Sequence, residues 1–510
     1  MAATPTTPLL GAADASTSRY QGINPSQVVR KVDLRLIPLL FITYMFNFMD
    51  KTILSSASVF GLIEDTHLHG QQYSWVSSVF YFGYLFWEAP TSFLIPRLPV
   101  AKYMAFNAFF WGAVVALTAA SVNYPGLLVV RFLLGVAEAT ITPAFMFITT
   151  SWYTRDEIPV RTGIWFSGNA IGGLLASLLA YGIGHIDSPL HPWRWMFIVL
   201  GVATLCWAFV LLLFLPDSVS SANFLSTEER EFMVHRIVIA GTGHTKKAPW
   251  NWNQTTECLI DPKTWHLFAI SVLTQIPNGG TQNFANLVIK SFGFTSLQST
   301  LLNIPYSLIS MVTITFTGWL AGRSKRMNCI LITSVVVFPV VGSALIYART
   351  RGVSQGAQLF GYFLLAPGSG ALPLAMSLVQ ANYKGVSKKM TMTAMMFLAY
   401  CTGNLAGPHL FRANEAPTYQ TSFRAILICY LLVAILALSL RIYLRYLNAS
   451  RDRDEGVQGD SSLSGNMGGK VVPEQHDRND VAGLVRSGAL EQGDYEDVTD
   501  WETVGFRYRL

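Results

Sequence analysis

The sequence predicts an all-α membrane protein of twelve transmembrane helices arranged as two bundles of six. Three observations carry this. The 510 residues are 51% hydrophobic and 13% charged, too apolar and too charge-poor for a soluble protein of this length. Apolar windows of about 20 residues, the length that crosses a bilayer as a helix, recur through the chain, where barrel strands would alternate over about 10 residues. One long polar stretch divides those windows into two equal sets.

The elements follow in order. Residues 1–32 are polar at the start and have no basic region ahead of an apolar core, so they read as a cytosolic tail and not a cleaved signal. Spans near 36–57, 73–95, 103–121, 124–148, 162–184 and 193–215 make an N-terminal bundle over 33–215. Residues 216–262 form a central cytosolic loop. Within it Ser226 stands three residues before Glu229, the spacing of a capping box, and Phe232, Ile237 and Ile239 follow. A short amphipathic helix is expected there, against the membrane face. Spans near 263–288, 298–320, 328–347, 356–379, 389–411 and 422–446 make the C-terminal bundle, 263–447. Residues 448–510 are polar and acidic, the composition of a disordered tail.

Charge sets the topology. With the N-terminus inside, the loops and flanks of one side hold 22 Lys and Arg and those of the other hold 7, so both termini are expected in the cytosol. The sequons at Asn253 and Asn448 then face the cytosol and stay unmodified. This placement accounts for the net charge of +6 without a nucleic-acid partner. The five cysteines show no metal-type spacing and read as small buried hydrophobes. Each half carries a short basic turn after its second span, FLIPRLPVAKYM and GWLAGRSKRMNCI, a trace of duplication.

Several motifs resemble one family. FNFMDKT in span one, YFGYLFWEAPTSFL in span two, VVRFLLGVAEATITPAF in span four, SWYTRDEIPVRTG, HPWRWMFIVLG, LPDSV with FLSTEER, and IPNGGTQNFANLVIKSFGFTSLQSTLLNIP occur in order over residues 33–447. Together they look like the allantoate permease family of fungal anion:cation symporters, within the major facilitator superfamily. Asp50-Lys51 stands where the family usually has Asp-Arg, and Glu88-Ala-Pro-Thr-Ser where it has an acidic-Ile-Pro-Ser-Asn run. Pro96 precedes Arg97 and Gly322 precedes Arg323, where the superfamily's loop motif commonly has Asp. The resemblance implies a plasma-membrane secondary transporter of a small organic anion, carboxylate in type, working by alternating access.

A charge inside a span costs roughly 2.5–3.5 kcal/mol on insertion scales, so its default reading is functional or paired. Helix rise places Asp50 about 21 Å and Arg131 about 20 Å from the cytosolic face. With Lys51 they are expected to form one cluster, in which the cations attract an anion and Asp50 accepts the co-transported proton. The structural alternative is a permanent salt bridge locking span one to span four. The same arithmetic puts Glu88 about 8 Å and Glu138 about 9 Å from that face, and the resemblance implies that they lie near the basic loop, where Arg97, Lys102 and Arg161 could pair with them. This set reads as an inner gate or as static helix pairing, and Arg323 in the second half's matching loop belongs with it.

In span seven Asn278, Gly279, Gly280, Gln282 and Asn283 suit a helix broken near the midplane to reach a ligand. Polar glue between helices competes with that. Asn278 and Gln282, with Asn404 in span eleven, are the substrate-contact candidates; Trp165, Tyr44 and Phe284 shape the cavity or pack. His185 and His191 read as surface residues. The spans contain no HExxH, HxxxH or GxSxG and the chain no GxxxxGK[ST], which argues against an enzyme and for protons as the coupling partner. No cofactor is expected, and a monomer in the lipid bilayer is the default. The rivals are efflux of a secondary metabolite and a non-transporting sensor; the absence of a recognisable signalling module weighs against the second.

Overall fold

The computed structural model describes residues 24–154, 157–239, 250–324, 326–462, 498–503 and 506–510. Residues 1–23 of the expected N-terminal tail and 463–497 of the expected C-terminal tail lie outside the described residues. Twelve long helices follow: α1 Pro25–Val59, α2 Gln72–Leu94, α3 Val100–Thr118, α4 in two pieces, Tyr124–Glu138 and Ile141–Trp152, α5 in two pieces, Ile158–Phe166 and Gly168–Ile183, and α6 Pro192–Phe214. Then come α7 Pro262–Ser291, α8 Ser296–Arg323, α9 Asn328–Tyr347, α10 in two pieces, Gln355–Phe363 and Ala371–Asn382, α11 Val386–Ala406 and α12 Gln420–Ser462. An even number of crossings returns the chain to the face on which α1 starts, here the tail face.

The two halves repeat one packing frame. α1 lies along α5 as α7 lies along α11, and α3 pairs with α6 as α9 pairs with α12. Small residues set these approaches. A Cβ on Gly83 would stand 2.1 Å from the Phe132 carbonyl oxygen, and one on Gly135 2.0 Å from that of Phe80, so α2 and α4 touch backbone to backbone and alanine at either position forces them apart.

Nine of the spans are apolar enough to cross a membrane by length and composition, counted among the described residues. α2, α7 and α11 are the ones that fall short, and position explains it. The halves meet along α1–α7, α2–α11 and α5–α8, so these three spend much of their surface on a protein seam where polar side chains find partners. Hydrogen bonds across the seam lie toward the face opposite the tails. Tyr73 Oη donates to the Asn283 carbonyl at 2.9 Å, Ser78 Oγ to that of Leu405 at 2.8 Å, and Ser296 Oγ to that of Val59 at 2.9 Å. Rings carry the contact to mid-depth: Tyr81 meets Tyr400 at 6.1 Å and Tyr84 stacks on Phe397 at 5.4 Å.

Three expectations are corrected. Span seven is not broken: α7 runs unbroken for 30 residues with Pro277 inside it. Its glycines serve packing, because a Cβ on Gly279 would stand 2.7 Å from Asn404 Cα of α11. The 448–510 tail has ordered parts, since α12 continues to Ser462 and residues 498–503 and 506–510 dock against the C-half. Composition concealed this, because an acidic segment is unstable alone yet pairs with buried lysines. The helix after the Ser226–Glu229 capping box forms as expected, Thr227–Ile239, but packs on the N-half: Arg236 meets Glu157 at 2.5 Å and Lys31 pairs with Glu229. A second helix in this region, Trp252–Ile260, lies under the start of α11, where Gln254 Oε1 accepts from Ser387 N at 3.0 Å.

Candidate transport site

Four charged side chains meet at mid-depth in the N-half. Asp50 and Lys51 come from α1, Arg131 and Glu138 from α4. Asp50 is 1% exposed, Arg131 3% and Glu138 0%. Lys51 Nζ lies 3.4 Å from Glu138 Oε2 and donates to Asn47 Oδ1 at 3.0 Å, while Asn47 Nδ2 donates to the same Glu138 oxygen at 2.7 Å. The ammonium also sits 5.7 Å from the Phe80 ring centroid and 5.6 Å from that of Tyr84, distances at which a ring face attracts a cation. Asp50 is held from a third helix: Trp111 of α3, fully buried, donates Nε1–H to Asp50 Oδ2.

The lock of α1 to α4 therefore exists, but its partners are Lys51 and Glu138. Asp50 and Arg131 share a pocket and form no ion pair there. The counting that put Glu138 near the tail face started from the opposite end of a 30 Å span, and α4 is longer than that. It extends over 29 residues, Tyr124–Trp152, about 43 Å at 1.5 Å per residue. Counted from Trp152, Glu138 is fourteen residues in, about 21 Å, as Asp50 is from Leu36.

What the cluster leaves unpaired defines its chemistry. Asp50 Oδ1, Glu138 Oε1, Arg131 Nε and Arg131 Nη2 are buried without a hydrogen-bond partner. The Arg131 guanidinium rests over the Phe197 ring at 5.5 Å. Buried orphans of this kind are rare and call for a reason. Asp50 and Arg131 line one pocket with Lys51, Phe80 and Tyr81, closed from the C-half by Gln282 and Asn283. Gln282 Nε2 is another buried donor without a partner, so the pocket offers charged and neutral donors beside carboxylate oxygens.

The other amide candidates are occupied with one another. Asn278 Nδ2 donates to Asn404 Oδ1 at 3.1 Å and to Gln275 Oε1 at 3.2 Å, and Asn404 Nδ2 donates to Gln275 Oε1 at 3.1 Å. This ring ties α7 to α11; Gln282 alone of the three candidates reaches the pocket. Tyr44, Trp165 and Phe145 form an aromatic knot, with centroids 4.9 Å and 5.4 Å from Trp165, and Phe284 stacks on Phe411 at 4.7 Å; both are packing.

The gate set does not assemble as expected. Arg161 grips Asp33 with Nε and Nη2 at 2.9 Å each. Arg97 turns back onto the Phe93 carbonyl at 2.6 Å, Lys102 lies 4.0 Å from Asp217, and Arg323 covers the Trp319 ring at 4.3 Å. Glu88 Oε2 is buried with no partner. His191 is exposed, as expected of a surface residue, with its Nε2 3.4 Å from Asp65. The residues that motif reading missed, Trp111, Asn47 and Gln275, share one signal: a polar group inside a span needs a partner.

The chain has relatives. The family model described as Major Facilitator Superfamily matches residues 40–408. The chain belongs to that superfamily. Within it, the allantoate permease of Saccharomyces cerevisiae is 34% identical over 494 residues, covering 94% of this chain and 86% of the relative, which places the chain in the allantoate permease family. An uncharacterized transporter of Schizosaccharomyces pombe is 33% identical over 504 residues, 96% of this chain and 91% of its own length. Among solved structures, a bacterial homologue of the lysosomal transporter Spinster, inward-facing and unoccupied, superposes with a TM-score of 0.61 at 14% identity, over 82% of this chain and 97% of that one. A D-xylose–proton symporter gives 0.58 at 15%, over 79% and 97%. The chain is thus a multi-pass membrane transporter of the major facilitator fold, built for secondary transport and not for catalysis.

Proposed function

We propose that this major facilitator protein carries a small carboxylate-type anion together with a proton, by alternating access. The observation that carries the reading is the charge balance of the mid-depth cluster. Asp50 and Glu138 formally cancel Lys51 and Arg131, so an empty, unprotonated site is neutral. An anion alone would make it negative and a proton alone positive. Both together restore neutrality, and two buried charges of opposite sign are tolerated where one is not. Each ligand therefore favours the other, the reciprocal coupling that symport requires.

The roles follow from the unpaired atoms. Arg131 Nε and Nη2 are adjacent donors of one planar fork, the geometry that grips a carboxylate with two bonds. Gln282 Nε2 contributes from the C-half, so a bound anion would touch both halves. The proton goes to Asp50 Oδ1, while Trp111 fixes the other oxygen. Lys51 and Glu138 set the local charge. The relationship to an allantoate permease supports an anion, and the seam closed away from the tail face supports a state open toward the tails. The basic loops of the tail face support cytosolic termini, and a monomer in the plasma membrane completes the reading.

The test is uptake in a transporter-deficient yeast strain given a panel of radiolabelled carboxylates and ureides at two pH values. Accumulation of one compound, greater at the lower pH and abolished by a protonophore, is expected. Accumulation indifferent to the protonophore would sink proton symport.

A further inference from the structure

On the tail face, a second buried charge cluster lies far from the transport site. Lys263 at the start of α7 and Lys388 at the start of α11 are both 0% exposed, as is Asp500, which reaches them from the segment 498–510. Asp500 Oδ2 is 2.6 Å from Lys263 Nζ and Oδ1 is 2.8 Å from Lys388 Nζ. Around this pair the C-half grips the segment's backbone. Asn382 at the end of α10 accepts from Arg509 N at 2.7 Å and donates to Arg509 O at 3.0 Å. Asn448 of α12 treats Tyr508 the same way, at 2.9 Å and 3.0 Å. Arg451 donates to the Asp500 carbonyl at 2.7 Å and to that of Phe506 at 3.1 Å. Through Asn328, whose N–H donates to Leu510 O at 2.7 Å, the segment also holds the start of α9. It thus ties together the tail-face ends of α7, α9, α10, α11 and α12.

Two features make this contact releasable. Each lysine has a second partner outside the segment: Lys263 pairs with Asp261, just ahead of α7, and Lys388 lies 2.5 Å from Glu257 on the Trp252–Ile260 helix. Departure of Asp500 therefore strands neither cation, whereas removing the sole partner of a buried charge is strongly destabilising. The segment is also separated from the end of α12 at Ser462 by 35 residues of sequence. What it holds matters because α7 and α11 are the C-half helices that face α1 and α2 across the seam, and the cross-seam hydrogen bonds described above lie away from this face.

We propose that the docked residues 498–503 and 506–510 form an autoinhibitory latch, clamping the tail-face ends of α7 and α11 to the rest of the C-half and slowing the step in which they close against the N-half. The effect on rate rests on the transport reading given above; the docking and the clamping do not. A protease site is placed within residues 463–497 of the full chain, which is reconstituted in liposomes and cut. The cut wild type is expected to retain the 498–510 fragment through washing. Asp500→Asn and Arg451→Gln are expected to lose it at least about tenfold more readily, since charge-assisted bonds are removed. In those variants, backbone hydrogen exchange at the tail-face ends of α7 and α11 is expected to rise. Initial uptake of a panel carboxylate should rise about two- to fivefold, with KM unchanged.

Equal retention by wild type and Asp500→Asn overturns the docking. Exchange that stays the same after release overturns the clamp, whether or not any panel compound is transported. Unchanged uptake by released protein that does transport overturns the inhibition. Absence of uptake from every form, with retention and exchange behaving as stated, counts against the transport reading and leaves the clamp standing.

Discussion

The two halves share a packing frame and differ in where they keep charge. The N-half holds Asp50, Lys51, Arg131 and Glu138 at mid-depth and leaves four of their polar atoms unpaired. Among the described residues of the C-half, the seam at that depth carries amides, Gln275, Asn278, Gln282 and Asn404, and all but Gln282 close on one another. The C-half's buried charges lie at its tail-face end, where Lys263, Lys388, Asp261 and Asp500 are mutually paired. A fully paired buried network specifies and rigidifies, and one with vacant valences is poised for a ligand. One half would therefore bind while the other supports and is latched.

The largest effect that separates the halves is expected at Arg131. Arg131→Gln should lower uptake by roughly two orders of magnitude, as expected for loss of one partner of a desolvated charge pair, and Arg131→Lys should recover only part of it because the fork is lost. Comparable uptake by Arg131→Gln would place the anion elsewhere. Asp50→Asn comes next. Net uptake at pH 5 should fall at least about tenfold, and what remains should lose its difference between pH 5 and pH 7, read by tracer accumulation at both values.

In the C-half, Asn404→Ala opens the amide ring. Interhelical hydrogen bonds within membranes average about 0.6 kcal/mol each, so a loss of about 1–2 kcal/mol is expected, seen as a drop of a few degrees in Tm, with KM within about threefold of wild type. A KM that rises far more, with Tm unchanged, would make Asn404 a ligand contact. The smallest effect concerns Asp500. Burial raises its carboxyl, but Lys263 and Lys388 outweigh burial and hold it below the ordinary carboxylate value. A depressed folded-state value gives stability that is complete above about pH 4 and is lost only as pH falls through the lowered value. Retention of the cut 498–510 segment should thus be equal at pH 5 and pH 8.

Much of the fold was legible because bilayer physics leaves few options. Window length, window number and loop charge identify twelve helices in two sets, and Asp50, Lys51 and Arg131 stood out as charges in apolar company. The pairing among them was not legible. Depth counting assumes one span length for every helix, and α4 exceeds it, so it puts Glu138 at the wrong level and misses its pairing with Lys51. Trp111 was invisible for another reason: a tryptophan in a span reads as packing until its indole N–H is seen to need an acceptor. The docked segment was hidden by its own composition, because Asp500 and Tyr508 are buried against partners on other helices, contacts too distant in sequence for local pattern to register.

The proposal's central claim, that proton and anion meet in the N-half cluster, is tested most directly by measuring both fluxes at once. Purified protein in liposomes carrying a pH-sensitive dye is given a radiolabelled carboxylate from the uptake panel. Wild type should acidify the lumen in a fixed ratio to anion entry, and Asp50→Asn should exchange labelled for unlabelled anion with no acidification. Acidification by Asp50→Asn at the wild-type ratio would contradict the account.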